Sequence, residues 1–254
     1  NRYLLTDQLW GKLSMLPVSM RRGLAGMMTT LSPEAFNKFL GFLPYNRVGE
    51  KIHKAASVME SSSIDELYLR LVSHWNNPES IVLNSREPIT QLTSATSNLS
   101  RLSQIQKMML MDTLTYLPDD ILTKVDRAAM GVSLETRIPF LNHNVVEYAW
   151  RMPMNFKVRN GEGKWALRQI LYKYIPKEMI ERPKMGFGVP IDSWLRGPLR
   201  EWAEELLDES RLRQEGFFNP EQIRQKWREH LSEKRNWQHQ LWDVLMFQAW
   251  LEEQ

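Results

Sequence analysis

Lys164 and Arg168 stand four apart in Gly161-Glu162-Gly163-Lys164-Trp165-Ala166-Leu167-Arg168. Glycines that lead into a helix leave its first backbone N–H groups approachable, and such a terminus attracts anions. Four-residue spacing places both cations on one helix face, where they would stand over that anion. The chemistry available is stabilisation of a negatively charged group, such as a phosphate. A turn followed by an amphipathic helix with solvated charges accounts for the same residues. The expected apolar stripe is Leu167, Ile170, Leu171 and Tyr174.

A third cation, Lys184, opens Arg182-Pro183-Lys184-Met185-Gly186-Phe187-Gly188-Val189-Pro190. Two glycines around a phenylalanine, bracketed by prolines, make a shaped loop with little conformational freedom to lose. Its lysine could be aimed at a charged ligand, or the loop could be a structural turn. A third group of charges lies in Lys124-Val125-Asp126-Arg127 and Ser133-Leu134-Glu135-Thr136-Arg137. Buried charges need partners, so a network among Asp126, Arg127, Glu135 and Arg137 is expected. Fixing the turn after a helix is the preferred role for Asp126, Arg127 and Arg137.

Other chemistries are absent. The sequence has no Gly-rich phosphate loop of either common type and no Gly-x-Ser-x-Gly elbow. With zero cysteines, disulfides, thiolate catalysis and Cys-ligated metals are excluded. The histidines, His53, His74, His143, His230 and His239, are scattered without metal-ligand spacing, so no metal site is expected.

The elements that must position these residues read as helices almost throughout. Apolar residues recur at helical spacing over 18–31, 34–43, 47–59 and 102–114. Ile64, Leu67, Leu71 and Trp75 are expected on one face. Tyr116-Leu117-Pro118-Asp119-Asp120 opens a helix with proline in its first turn and aspartates at the positive end of its dipole. Ile121, Leu122, Val125, Ala128 and Ala129 form its expected buried stripe, and Gly131 its C′ residue. Further helices are expected over 144–152, 164–174 and 199–208. Asn219-Pro220-Glu221-Gln222 starts another, and 237–253 is the last. The stretch 76–101, rich in Asn, Ser, Thr and Pro, reads as a surface excursion. The fold class expected is mainly α.

Hydrophobic residues make up 43% and charged residues 25%, an ordinary globular balance. Basic residues are interleaved with acidic ones, as in 196–211 and 224–234, so no nucleic-acid backbone is an expected partner. No apolar run approaches the roughly 20 residues that span a bilayer. The first residues lack the build of a signal peptide, and a reducing cytoplasm suits the cysteine-free composition.

Together these segments resemble the asparagine synthetase family. The resemblance runs through Tyr116-Leu-Pro-Asp-Asp-Ile-Leu-Thr-Lys-Val-Asp-Arg-Ala-Ala-Met130 and Ser133-Leu-Glu-Thr-Arg-Ile-Pro-Phe-Leu141. It continues in Gly163-Lys164 with Leu167-Arg168, and in Arg182-Pro-Lys-Met-Gly-Phe-Gly-Val-Pro190 with Trp194-Leu195. It is strong from about 110 to 200. It implies the helical portion of an α/β adenine-nucleotide α-hydrolase-like domain, the PP-loop ATP pyrophosphatase class. Such enzymes activate the aspartate side-chain carboxylate with ATP as an acyl-adenylate. Ammonia from glutamine, released by a separate glutaminase domain, then attacks it.

By resemblance to β-lactam-forming relatives, Lys164 and Lys184 contact the pyrophosphate, with Lys184 the foremost transition-state lysine. Arg168 is a weaker candidate beside them. Glu135 matches a carboxylate that helps the attacking amine. The two ammonium groups should then lie within roughly 8 Å, the reach of one pyrophosphate. The family's Ser-Gly-Gly-x-Asp-Ser loop and its Ser-Gly-x-Gly-Ala-Asp-Glu segment are missing, and Asn1-Arg2-Tyr3 matches the end of the latter region. Residues 1–254 are therefore expected to be the C-terminal part of the synthetase domain, inactive alone. The ligands of Mg2+ are expected upstream. An exposed apolar face is expected where the nucleotide-binding portion would pack. The full-length protein would take small-molecule substrates and could be a homodimer. Two alternatives stand beside this: amidation of another carboxylate such as a sugar acid, and a non-catalytic helical interaction domain.

Overall fold

The structure is a computed structural model that describes residues 2–39, 48–90, 93, 99, 101–181 and 188–254. It divides into two compact units, one of Asn1–Leu9 with Thr90–Phe187, the other of Trp10–Ile89 with Gly188–Gln254. Secondary structure is helical apart from one two-stranded sheet among the described residues. Among the described residues no helix is long and apolar enough to cross a membrane.

The first unit holds helix α6 (Gln104–Leu114), after α1 (Arg2–Leu13) has contributed its opening turns. Ser103 and Gln106 close a capping box: the Gln106 N–H donates to Ser103 Oγ at 3.3 Å and the Ser103 N–H to Gln106 Oε1 at 3.0 Å. Met108 and Met111 are buried, and the Tyr3 hydroxyl donates to Asp112. The chain then runs through a π-helical turn, Leu117–Leu122, into α7 (Thr123–Met130). Sequence reading gives one helix here. The wider turn has a local cause: the Thr123 hydroxyl donates to the Pro118 carbonyl at 2.9 Å, five residues back. Gly131 is right-handed rather than the C′ residue expected. Ser133, at φ 58°, takes the left-handed position.

The stripes expected to be buried in this unit are not. Ile121 and Val125 are exposed, and Leu167, Ile170 and Tyr174 are 47%, 54% and 80% exposed. Helical periodicity selects a face but does not supply the surface that covers it. Contiguous exposed apolar residues of this kind mark a surface built to be covered.

The second unit has two cores. In one, α4 (Val48–Met59) packs against α2 (Val18–Thr29), α3 (Pro33–Phe39) and α5 (Ile64–Val72). Leu13, Val58 and Leu67 are buried, with Trp10, Met59 and Leu71 against them. The α5 helix begins at Ser63, whose side chain accepts from the Glu66 N–H at 3.1 Å. Trp75 does not share its face as expected, because Ser73 turns extended and ends the helix. Trp75 packs on the other core instead.

That core is built by α12 (Ile191–Arg196), α13 (Arg200–Leu206), α14 (Glu209–Glu215), α15 (Pro220–Leu231) and α16 (Gln238–Glu252). Leu195, Leu207, Ile223, Trp227, Leu241 and Leu245 are fully buried in it. Asn219 caps α15 as its sequence suggests, accepting from the Gln222 N–H at 3.2 Å, with Pro220 at the first position. The start of the 76–101 stretch is anchored here: Ile81 is buried, and the Leu83 N–H donates to the Phe217 carbonyl at 2.8 Å. Residues 83–90 lie on the surface.

Candidate active site

Lys164 sits where a hairpin becomes a helix. Strands β1 (Val158–Arg159) and β2 (Glu162–Gly163) pair antiparallel, with Val158 opposite Gly163 and Arg159 opposite Glu162. Asn160 and Gly161 make the turn with φ of 52° and 78°, the left-handed pair that Asn-Gly adopts readily in a two-residue hairpin. After the two residues of β2 the backbone is left-handed again at Lys164, φ 60° and ψ 30°, which caps α10 (Trp165–Leu171) without a side-chain hydrogen bond. For a residue with a Cβ this conformation costs about 1 kcal/mol or more and persists only where the surroundings enforce it. They do: the Arg159 guanidinium lies 4.7 Å from the Trp165 ring centroid, and Phe156 meets that ring edge-on at 6.0 Å. The Lys164 side chain is exposed at this held corner.

Arg168 does not stand out over the helix start beside Lys164. Its Nε donates to the Gly163 carbonyl oxygen at 3.1 Å, and its Nη1 to the Tyr172 hydroxyl at 3.4 Å. Nη1 also pairs with Glu181, just past α11 (Lys177–Ile180), and the Tyr172 hydroxyl donates to the same carboxylate. The Tyr172 contact, with the Glu181 charge assisting, raises the Arg168 guanidinium above its ordinary range. Donation from Tyr172, with the Arg168 charge assisting, holds the Glu181 carboxyl below the usual carboxylate range. The partnership of Arg168 with Glu181, thirteen positions on, has no sequence period to announce it.

Lys184 falls in 182–187, outside the described residues, so its separation from Lys164 is likewise outside them. Glu135 is described. It pairs with Arg137 Nη2 at 2.5 Å, both side chains largely in solvent. No ion pair joins Asp126 or Arg127 to this pair among the described residues, and both are exposed. The expected buried network is therefore two local arrangements, Glu135 with Arg137 and Lys124 with Asp120. Exposed charges meet their solvation need from water and require no such network.

A lysine not singled out by sequence, Lys157, ends α9 (Met154–Lys157). Burial lowers its ammonium below the ordinary lysine range, and it lies 5.4 Å from the Trp150 ring. The histidines are also less scattered than their spacing implies. In the second unit His74 and His239 stack with ring centroids 5.1 Å apart, and Asp243 accepts from His74 Nδ1 at 3.0 Å. No group of three or more side chains suited to a metal occurs among the described residues. Glu135 and Glu181 are each engaged by an arginine, so nothing here offers Mg2+ a carboxylate pair.

What the corner can offer is a solvent-facing ammonium carried on a constrained backbone beside a helix start, suited to a phosphate oxygen. Comparison with known proteins gives the chain a context. The family model for asparagine synthase matches residues 6–252.

The chain belongs to the asparagine synthase family. Its fold is the helical part of that family's PP-loop ATP pyrophosphatase-type domain. Asparagine synthetase [glutamine-hydrolyzing] 1 of Bacillus subtilis (strain 168) is 34% identical over 59% of this chain and 24% of its own length. A putative asparagine synthetase of Mycobacterium tuberculosis (strain ATCC 25618 / H37Rv) is 35% identical over 58% of this chain and 22% of its own. The human asparagine synthetase [glutamine-hydrolyzing] is 27% identical over 47% and 24%. The matches thus span about a quarter of these relatives. No solved structure matches the chain.

Proposed function

We propose that this chain is the pyrophosphate-side portion of an ATP-dependent amidotransferase that makes asparagine from aspartate. The carrying observation is Lys164, an exposed ammonium on a backbone held left-handed between hairpin and helix. In the first step an oxygen of the aspartate side-chain carboxylate attacks the α-phosphorus of ATP. The bond to the β,γ-phosphates breaks and pyrophosphate leaves with its electron pair. In the second step ammonia derived from glutamine attacks the acyl carbon, AMP departs, and a proton is lost from nitrogen.

Charge builds on the departing pyrophosphate, so a cation already in place stabilises the transition state without reorganising. Lys164 and Lys184 take that role in this reading, and Glu135 receives a proton from the attacking ammonia. The residues that hold the nucleotide and Mg2+ belong to other parts of the parent enzyme, and these 254 residues alone are inactive. The exposed apolar residues of the first unit, Ile170 and Tyr174 among them, fit a surface that packs on such a part.

The test is exchange of labelled pyrophosphate into ATP by the full-length enzyme, dependent on aspartate. Lys164→Met and Lys184→Met should each lower exchange by roughly 10²- to 10³-fold, the range for removing one preorganised charge donor. Exchange at the wild-type rate in both variants would sink the reading. Exchange driven by a different carboxylic acid and not by aspartate would reassign the acceptor.

A further inference from the structure

Helix α10 exposes two of its apolar side chains while its arginine is largely covered. Leu167 and Ile170 are 47% and 54% exposed, while the Arg168 side chain is only 22% exposed. A charged group turned toward the protein when its apolar neighbours face solvent is the informative kind of exception to burial by polarity. The position is held by specific partners. Arg168 Nε reaches the Gly163 carbonyl at 3.1 Å, and Nη1 meets Tyr172 and Glu181. Tyr172 is one turn further on and donates to the same Glu181 oxygen, so three side chains close a ring.

Gly163 is the residue before Lys164, and its carbonyl belongs to the peptide bond whose nitrogen is that of Lys164. Holding that carbonyl orients the peptide plane and so restrains, from its N-terminal side, the φ of Lys164, the strained angle at this corner. A lysine could not do this, because its ammonium lacks a fork that spans a carbonyl and a carboxylate at once. Glu181 in turn stands three positions ahead of Lys184 in sequence.

We propose that Arg168, anchored by Glu181 and Tyr172, is a positioning residue that sets the backbone of Lys164 rather than a contact to pyrophosphate. The inference rests on the reading of Lys164 given above. Its guanidinium charge is already neutralised by Glu181, so it brings no free cation to the leaving group. Its effect passes through the placement of Lys164, where a displacement near 1 Å can lower a rate by about 10²-fold.

The experiment uses the full-length enzyme and compares Arg168→Gln, Arg168→Lys, Glu181→Gln, Arg168→Gln with Glu181→Gln, and Lys164→Met. Two quantities are read: kcat and KM for aspartate-dependent pyrophosphate exchange, and amide hydrogen exchange of the peptide covering 160–166. Arg168→Gln and Glu181→Gln should each lower kcat roughly 10- to 100-fold. The KM for aspartate should stay within about twofold, since only the pyrophosphate side is disturbed. The double variant should be no slower than the worse single one, because both act on one link. Arg168→Lys should fail to restore kcat, and amide exchange at 160–166 should quicken in every variant of the pair. Glu181→Gln serves if Arg168→Gln does not fold, since it leaves the guanidinium in place.

Multiplying single effects would overturn the proposal, as would Glu181→Gln at the wild-type kcat with unchanged amide exchange. A full loss in Lys164→Met together with normal kcat in Arg168→Gln would defeat the positioning role alone. Normal exchange in Lys164→Met would defeat the reading of the lysine and this proposal with it.

Discussion

Arg21 Nη1 donates to the carbonyl oxygen of Ser61 at 2.6 Å, forty positions along the chain. The same nitrogen reaches the Met59 carbonyl at 3.1 Å, and Nε the Leu16 carbonyl at 3.2 Å. Met59 is the last residue of α4, so a buried cation closes the negative end of that helix dipole. Arg21→Met should destabilise the chain by about 1–3 kcal/mol, because it strands buried carbonyls. Arg21→Lys should recover only part of this, since a single nitrogen cannot occupy the Nε and Nη1 positions at once. Urea unfolding of the two variants checks both values; equal stability of Lys and wild type would count against the fork geometry.

Gly49 lies in α4 where an added Cβ would stand 1.9 Å from the backbone oxygen of Pro33. A glycine inside a helix ordinarily gains about 1 kcal/mol on replacement by alanine. Here the contact atom is backbone at the start of α3, and the helices would have to separate. Gly49→Ala should therefore destabilise by roughly 1–3 kcal/mol, the usual range for overpacking. Thermal unfolding gives the sign directly, and a gain would mean that α3 shifts freely.

His74 and His239 titrate in opposite directions. Hydrogen bonding to the Asp243 carboxylate, assisted by its charge, raises the His74 imidazole above its ordinary value of 6.5. Burial and the His74 charge lower that of His239. A raised folded value stabilises fully below pH 6.5 and is lost as pH rises through that folded value. Asp243→Asn should hence lose most stability, relative to wild type, at about pH 6, and the gap should narrow at about pH 8.5. A residual loss persists at high pH because Trp75 Nε1 also donates to Asp243, at 3.0 Å. Denaturant midpoints at the two pH values decide it; a gap that widens with pH would refute the His74 assignment.

Glu135, exposed and paired with Arg137, offers a separate kinetic signature. If it takes the proton of the attacking ammonia, Glu135→Gln in the full-length enzyme should leave pyrophosphate exchange intact. Asparagine formation should fall about 10²- to 10⁴-fold, as for loss of a general base. Loss of both activities together would place Glu135 in adenylation or in folding instead.

Sequence alone determined most of the helices, though not α1, α12 or α14, and several of their ends. Asn219 and Pro220 act as cap and first-turn residue because a side-chain oxygen and a fixed φ satisfy a purely local need. The Asn160-Gly161 turn is within reach of the same local reasoning, although the glycines there also suit a helix entrance. The motifs around Lys164 and Glu135 were legible too, since their order and spacing are linear features.

Tertiary structure decided which polar groups meet. Arg168 finds Glu181 across thirteen residues, and His74 finds Asp243 across 169, separations that no periodicity encodes. It also decided which apolar stripes are covered: the Leu241, Val244 and Leu245 stripe is buried, whereas that of Leu167 and Ile170 faces solvent. Period fixes the direction in which a side chain leaves its helix, but burial depends on whether another surface arrives there.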